Sequence, residues 1–153
     1  MKKFNFSLQK VLEIKEQLLD NFKIELSGLN NDLKNINDAV ENLKRQFRDI
    51  NQEFVNKSRI SISVGEMTYY KLLMESIFKQ IEVKEEEKHD IIKKIEAKRQ
   101  EIVNMNKEIT SLEKLKDKEL EKHNKEAEKG EEIFIEEFVS NKSMAKNYTI
   151  GRR

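Results

Sequence analysis

Apolar residues recur along the first third of the chain at alternating intervals of four and three residues. The series runs from Leu8 to Phe54, and thirteen of its fourteen positions are apolar. A repeat of 3.5 residues sustained over more than six heptads is typical of a long helix wound on a partner helix. The positions of this first seam are Leu8, Leu12, Lys15, Leu19, Phe22, Leu26, Leu29, Leu33, Ile36, Val40, Leu43, Phe47, Ile50 and Phe54.

A second seam has eleven apolar residues in fourteen positions, which are Met67, Tyr70, Met74, Ile77, Ile81, Lys84, Lys88, Ile91, Ile95, Lys98, Ile102, Met105, Ile109 and Leu112. The intervening segment is rich in serine and β-branched residues, and the second seam is displaced by one residue from the continuation of the first. Ser63 and Glu66 have the spacing of a capping box, which marks a helix start. The pattern therefore predicts an all-α fold, a long two-helix antiparallel coiled-coil hairpin with an overhanging second helix.

These seams predict a single coiled-coil domain over residues 1–153. We expect a first arm over about 4–58, a turn over about 59–65, a second arm over about 66–130, and a partly disordered tail over 131–153. At about 1.5 Å per residue, the paired arms would form a rod on the order of 80 Å long.

The overhang follows from the unequal arms, because pairing from residue 4 uses the second arm only to about residue 116. Fourteen of the twenty residues from Glu113 to Glu132 are charged with the signs interspersed, which is typical of a solvated single helix laced by ion pairs. An acidic and apolar stretch from Ile133 to Val139 follows Gly130, and we expect the last dozen residues to be disordered.

A turn centred near residue 60 places a residue i opposite one near 120 minus i. Lys15 of the first seam then falls near Met105, with Glu101 and Glu108 within reach. Seam lysines either pair with such carboxylates and fix the register, or lay their methylenes along the seam and carry the charge outward. The sequence leaves both readings open.

Composition agrees with exposed helices and disfavours an enzyme. Charged residues make up 39% of the chain and apolar residues 37%, and there is no proline, cysteine or tryptophan. Little is left to line a pocket, so we expect no enzyme, no cofactor and no small-molecule substrate. The net charge of +1 argues against nucleic acid, and the lack of a long apolar run or a signal peptide predicts a cytoplasmic protein.

Candidate catalytic and metal-binding motifs are weak. Glu86 and His89 have the Glu-x-x-His spacing of di-iron bundles, but His123 has Leu120 where the second glutamate should be. Neither histidine has a plausible nucleophile nearby, and the four glycines are isolated, so no phosphate loop exists. We therefore expect no catalytic residue and no metal site.

Two groups of apolar residues lie off the seams. Each is either covered by another part of the chain or is a docking surface for another protein. The covering segment would be the end of the second arm or Ile133 to Val139 for the first group, and the loop Ile60 to Val64 for the second. The first group is Phe4, Phe6, Val11, Ile14 and Leu18; the second is Tyr69, Leu72, Leu73 and Phe78.

The opening pattern Phe4-x-Phe6-x-Leu8-x-x-Val11-Leu12-x-x-Lys15 resembles the amino-terminal signature of the flagellar export protein FliJ family. The segments Gly65 to Tyr70 and Glu136 to Phe138 fit as well. The resemblance implies a non-enzymatic, cytoplasmic component of flagellar type III secretion, associated peripherally with the export apparatus at the inner face of the cell membrane. Its implied partners are a hexameric export ATPase, the cytosolic domain of the membrane export gate, and substrate chaperones.

The resemblance also implies roles for the off-seam residues. Tyr69, Leu72 and Leu73 lie where the family presents its gate-binding face. The residues that lie where the family meets the ATPase ring are Phe4, Phe6, Val11, Ile14, Leu18, Phe134 and Phe138.

Two other functions remain open from the sequence. The alternative function is a general coiled-coil holdase chaperone or scaffold without an ATPase partner, and a third is a self-associating fibre protein.

Overall fold

The computed structural model describes residues 2–150, and the side chains of residues 2–145. Helix α1 spans Gln9–Ile60 and helix α2 spans Val64–Ile150, and three residues connect them. Over the described residues the chain has no strand. The fold is an all-α helical hairpin, which confirms the predicted class.

Contacts along the hairpin divide the chain into two compact units. The terminal unit consists of Met1–Gln17 and Met105–Arg153, and the turn unit consists of Leu18–Asn104. Each unit pairs a segment of α1 with an antiparallel segment of α2, so each has its own part of the apolar interface.

Burial follows the two predicted seams. All fourteen positions of the first seam are buried or half-buried, and in the second seam Met67 is the one exposed position. A two-helix coiled coil buries one stripe of each helix and leaves the other faces to solvent, which is the pattern seen here. The most buried seam residues are Leu12, Leu19, Val40, Tyr70, Ile77, Ile95 and Ile109.

The turn between the helices is closed by a serine cap. The Ser63 hydroxyl accepts a hydrogen bond from the Glu66 amide at 3.1 Å, and the Ser63 carbonyl accepts one from the Met67 amide at 2.9 Å. Ser63 is therefore the N-cap of α2, where the capping-box spacing placed it. On the other side, the Ser61 amide donates to the Lys57 carbonyl at 3.1 Å, so the turn itself is shorter than the sequence predicted.

Cross-helix pairs give the register in each unit. In the terminal unit, Lys15 Nζ lies 2.7 Å from Glu108 Oε2, one of its two predicted partners. In the turn unit, the rings of Phe54 and Tyr70 have centroids 5.7 Å apart. Residue i thus faces a partner near 124 minus i, because the turn is centred on Ile62 and not near residue 60.

Lys98 shows how a charged residue is accommodated in the seam. Its ammonium group forms ion pairs with Glu25 across the interface and with Glu101 on α2, and it lies 4.8 Å from the centroid of the Phe22 ring. Hydrogen bonds to Glu101 and then Glu25 raise the pKa of Lys98 above its ordinary value. For Lys98, as for Lys15, the ion-pairing reading of the seam lysines holds.

Helix α2 continues beyond the predicted end of the second arm near residue 130. The described glycines have no positive φ, and a Cβ added to Gly130 would meet nothing within 4 Å. Gly130 therefore takes ordinary helical geometry and does not end the helix. The disordered tail stays a prediction, and it falls in part on residues 151–153, which lie outside the described residues.

Candidate partner-binding surfaces

The residues before α1 lie along α2 within the terminal unit. The Phe4 ring packs against His123 with centroids 5.6 Å apart, and Lys116 Nζ donates a hydrogen bond to Gln9 Oε1 at 2.8 Å. Phe6 is buried, and its carbonyl accepts a hydrogen bond from the Gln9 amide at 3.0 Å. The start of the chain thus covers α2 as far as His123, beyond the predicted limit of pairing near residue 116.

This packing divides the amino-terminal candidates into two sets. Phe6 belongs to the core of the terminal unit, and Phe4 is half-buried on His123. Val11 and Ile14 remain exposed on the terminal unit, as does Leu18 at the start of the turn unit. The second arm therefore covers the phenylalanines, as one reading of the sequence expected, and leaves the aliphatic residues accessible.

The distal part of α2 presents large apolar side chains to solvent. Phe134 is 69% exposed and Phe138 is 59% exposed. The reading in which this stretch folds back onto the start of the chain does not hold, because each of these side chains is more than half exposed. The other exposed apolar residues of this part of α2 are Ile133, Ile135, Val139 and Met144.

A second exposed cluster lies beside the turn, in the turn unit. Tyr69 is 61% exposed and Leu72 is 60% exposed, whereas Leu73 is half-buried. The loop that might have covered them leaves Ile60 and Val64 in solvent, although Ile62 is half-buried. Tyr69 and Leu72 are three residues apart, so they share a face of α2 that a partner can contact.

Tyr69 packs against Tyr70, which belongs to a cluster of polar and aromatic side chains. Its ring meets Tyr70 edge-on with centroids 5.6 Å apart, and the Tyr70 hydroxyl donates to Glu53 Oε1 at 3.0 Å. Lys57 Nζ lies 5.4 Å from the centroid of the Tyr70 ring. The pKa of Lys57 is raised above its ordinary value, and hydrogen bonding to Tyr70 is the largest cause of this shift. The sequence marked Tyr70 as a seam residue, but not its contact with Tyr69.

A groove that the sequence did not predict continues along α2 from the exposed cluster of Tyr69 and Leu72. Leu72 and Val83 of α2 and Leu43 of α1 line this groove, together with polar and charged side chains of α2. Val83 lies off the seam and Leu43 on it, so the seam pattern alone did not group them. The groove gives the exposed Leu72 side chain an apolar continuation.

The described residues offer apolar surfaces for protein contact. Nowhere among them do three or more histidine, aspartate or glutamate side chains gather as a potential metal site. Within the same residues, no helix is long and apolar enough to cross a membrane. The accessible candidates are aliphatic and aromatic, the side chains that anchor protein interfaces.

A comparison with models of protein families identifies the family of this chain. Residues 4–147 match the model of a family described as the flagellar FliJ protein. The chain belongs to the flagellar FliJ family. As a FliJ-family protein it is a component of flagellar type III protein export, which confirms the resemblance noted in its sequence. No curated protein and no solved structure gives a significant match.

The FliJ match extends over both exposed surfaces. It includes Tyr69 and Leu72 beside the turn, and Phe134 and Phe138 on distal α2. The partner that contacts each surface remains a prediction, because a family match over the whole hairpin assigns no individual side chain.

Proposed function

We propose that the protein is a stalk that inserts into the ring of the hexameric flagellar export ATPase and stimulates it. The stalk would also link the ATPase to the cytosolic domain of the membrane export gate and to substrate chaperones. It would act in the cytoplasm, associated peripherally with the export apparatus at the inner face of the cell membrane. The observation that carries the proposal is a FliJ-family hairpin with exposed apolar side chains in both of its units.

The terminal unit is the proposed ATPase-binding part. Val11 and Ile14 on α1 and Phe134 and Phe138 on α2 are exposed, although a monomer gains nothing from leaving them in water. Burying them against the ring would release ordered water and would supply the apolar centre of an interface. Phe4 and Phe6 act indirectly, since they fix the start of the chain on α2.

The turn unit is the proposed gate-binding part. Tyr69 and Leu72 would act as anchors, and the half-buried Leu73 would support them. An aromatic side chain held by neighbours loses little conformational freedom on binding, which favours affinity. The edge-on contact with Tyr70 provides that support for Tyr69.

The direct test is the turnover of the cognate export ATPase with and without the purified protein. A stalk should raise turnover at concentrations that saturate the ring, and it should bind the cytosolic domain of the gate in a separate assay. Unchanged turnover at saturation would contradict the stalk.

The alternative is a general holdase or scaffold, which the exposed apolar residues of distal α2 also favour. A holdase should suppress the aggregation of unrelated unfolded proteins without any ATPase. Suppression of unrelated clients together with unchanged ATPase turnover would favour this alternative.

A further inference from the structure

Beyond His123, the terminal unit has an open groove on α2. Its floor is formed on α2 by Ala127, Gly130 and Phe134, and Lys2 stands at its edge. Ala127 and Gly130 are small, and open space lies over Gly130, so a depression precedes the Phe134 ring. The spacing of three and four residues places this floor on one face of α2.

The part of α2 that carries the groove is acidic in a chain of nearly neutral charge. From Glu126 to Val139 there are six glutamates and one lysine, a net charge of −5, whereas the whole chain has +1. Glu126 and Glu131 line the groove itself. An apolar floor with carboxylates beside it is complementary to a segment that combines apolar and basic side chains.

The chain already presents such a segment to the neighbouring turns of α2. Its first residues include Lys2, Lys3, Phe4 and Phe6. Phe4 packs on His123, Phe6 is buried, and Lys2 reaches the edge of the groove. In the terminal unit, α2 therefore already carries a phenylalanine ring at His123, next to a lysine at the edge of the open groove.

We propose that this acidic groove binds a basic amphipathic helix of a partner protein. The apolar face of that helix lies on Ala127, Gly130 and Phe134, and its lysines or arginines face Glu126 and Glu131. A helix suits the site because the floor runs along α2 with helical spacing. The inference rests on the proposed function for the partner's place in the export apparatus, but its chemistry is testable without the ATPase.

The probe is a fluorescent synthetic helix with leucines on one face and lysines on its flanks, titrated with the full-length protein. The control peptide keeps the leucines and has glutamates in place of the lysines. We expect the basic peptide to bind at least about tenfold more tightly than the acidic one, with an affinity that falls as salt is raised. Equal binding of the two peptides, or no binding of either, would overturn the inference.

Variants locate the peptide on the protein. Gly130→Leu should fill the groove and weaken binding about tenfold, and it should not unfold α2, because leucine is a better helix former than glycine. Glu126→Lys with Glu131→Lys should weaken binding by a similar factor. The matched control is Glu85→Lys with Glu86→Lys, the same charge change at exposed positions of the turn unit, which should leave binding nearly unchanged.

The outcomes separate this inference from the stalk proposal. A control variant that weakens binding as much as Glu126→Lys with Glu131→Lys would show that general charge attracts the peptide, and it would overturn the groove. If the protein self-associates with rising concentration and Gly130→Leu abolishes this, the groove binds a second copy of the protein. That result would also overturn the inference. ATPase stimulation without peptide binding would overturn the inference alone, and peptide binding without stimulation would contradict the stalk alone.

Discussion

The hydroxyl of Tyr70 on α2 donates a hydrogen bond to Glu53 Oε1 on α1 at 3.0 Å, beside the turn. The Tyr70 side chain is only 4% exposed. A phenol in such a position needs a partner within the protein, and the carboxylate supplies one. The pair therefore contributes to the register of the two helices and fixes the ring against which Tyr69 rests.

Tyr70→Phe should lower the free energy of unfolding by about 0.5–1.5 kcal/mol, because it removes this hydrogen bond and keeps the buried ring. Urea unfolding of Tyr70→Phe, Glu53→Ala and the double variant forms a double-mutant cycle. We expect a coupling energy of about 1 kcal/mol. Additive effects of the two changes would show that the bond contributes nothing to stability.

Lys98 should make stability depend on alkaline pH. Its carboxylate partners raise the pKa of Lys98 in the folded state, so its contribution is fully present below the ordinary value of 10.5 and is lost as the pH rises through the higher folded pKa. The stability difference between the wild type and Lys98→Met should therefore be largest near neutral pH and should shrink above about pH 10.5.

The control for Lys98 is Lys125→Met, which removes an exposed ion pair to Glu121. Its effect on the free energy of unfolding should be small at every pH, because exposed pairs contribute little. A constant difference between the wild type and Lys98→Met over the alkaline range would contradict the role of charge at Lys98.

Two isoleucines test the energetic value of the seam. Ile95 is 5% exposed and Ile24 is 70% exposed. Ile95→Ala should cost about 2–4 kcal/mol through lost burial and a residual cavity, whereas Ile24→Ala should change stability by no more than about 0.5 kcal/mol. Chemical unfolding measures both. Similar losses at the two sites would show that burial in the seam does not dominate stability.

The sequence predicted the seams well because a two-helix interface imposes the same period on the buried side chains of both helices. The buried positions Val40 and Ile95 both fall on it. The serine cap was also predictable, because a capping side chain acts on amides only a few residues away, and Ser63 lies next to the helix that it starts. The register was displaced by a few residues because the centre of the turn depends on where α1 ends.

Other features depend on contacts that no local pattern encodes. Glycine often ends helices, so Gly130 suggested an end, but the helical backbone there needs no special conformation. Phe6 lies off the seam, so the sequence left open whether it was covered or exposed, and in the structure it is buried in the terminal unit. The groove at Phe134 combines residues from the start of the chain and from distal α2, so only the fold reveals it.

Tyr69→Ala with Leu72→Ala should abolish gate binding and export-dependent motility while leaving the melting temperature nearly unchanged. Both side chains are mostly exposed, so the fold loses little, whereas an interface loses its anchors. The matched control is Ile24→Ala with Val103→Ala, which removes exposed apolar side chains elsewhere on the turn unit. If the Tyr69 and Leu72 variant binds the gate with wild-type affinity, these residues do not contact the gate.

Val11→Ser with Ile14→Ser should reduce ATPase stimulation at unchanged stability, because both residues are exposed on the terminal unit. Phe6→Ser should also reduce stimulation, but through a loss of stability on the order of 3 kcal/mol, since it empties a buried site. Chemical unfolding and ATPase turnover, measured on both variants, distinguish contact from support. Gate binding by the Val11 and Ile14 variant should remain at the wild-type level. If that variant stimulates the ATPase fully, the exposed aliphatic residues of α1 do not contact the ring.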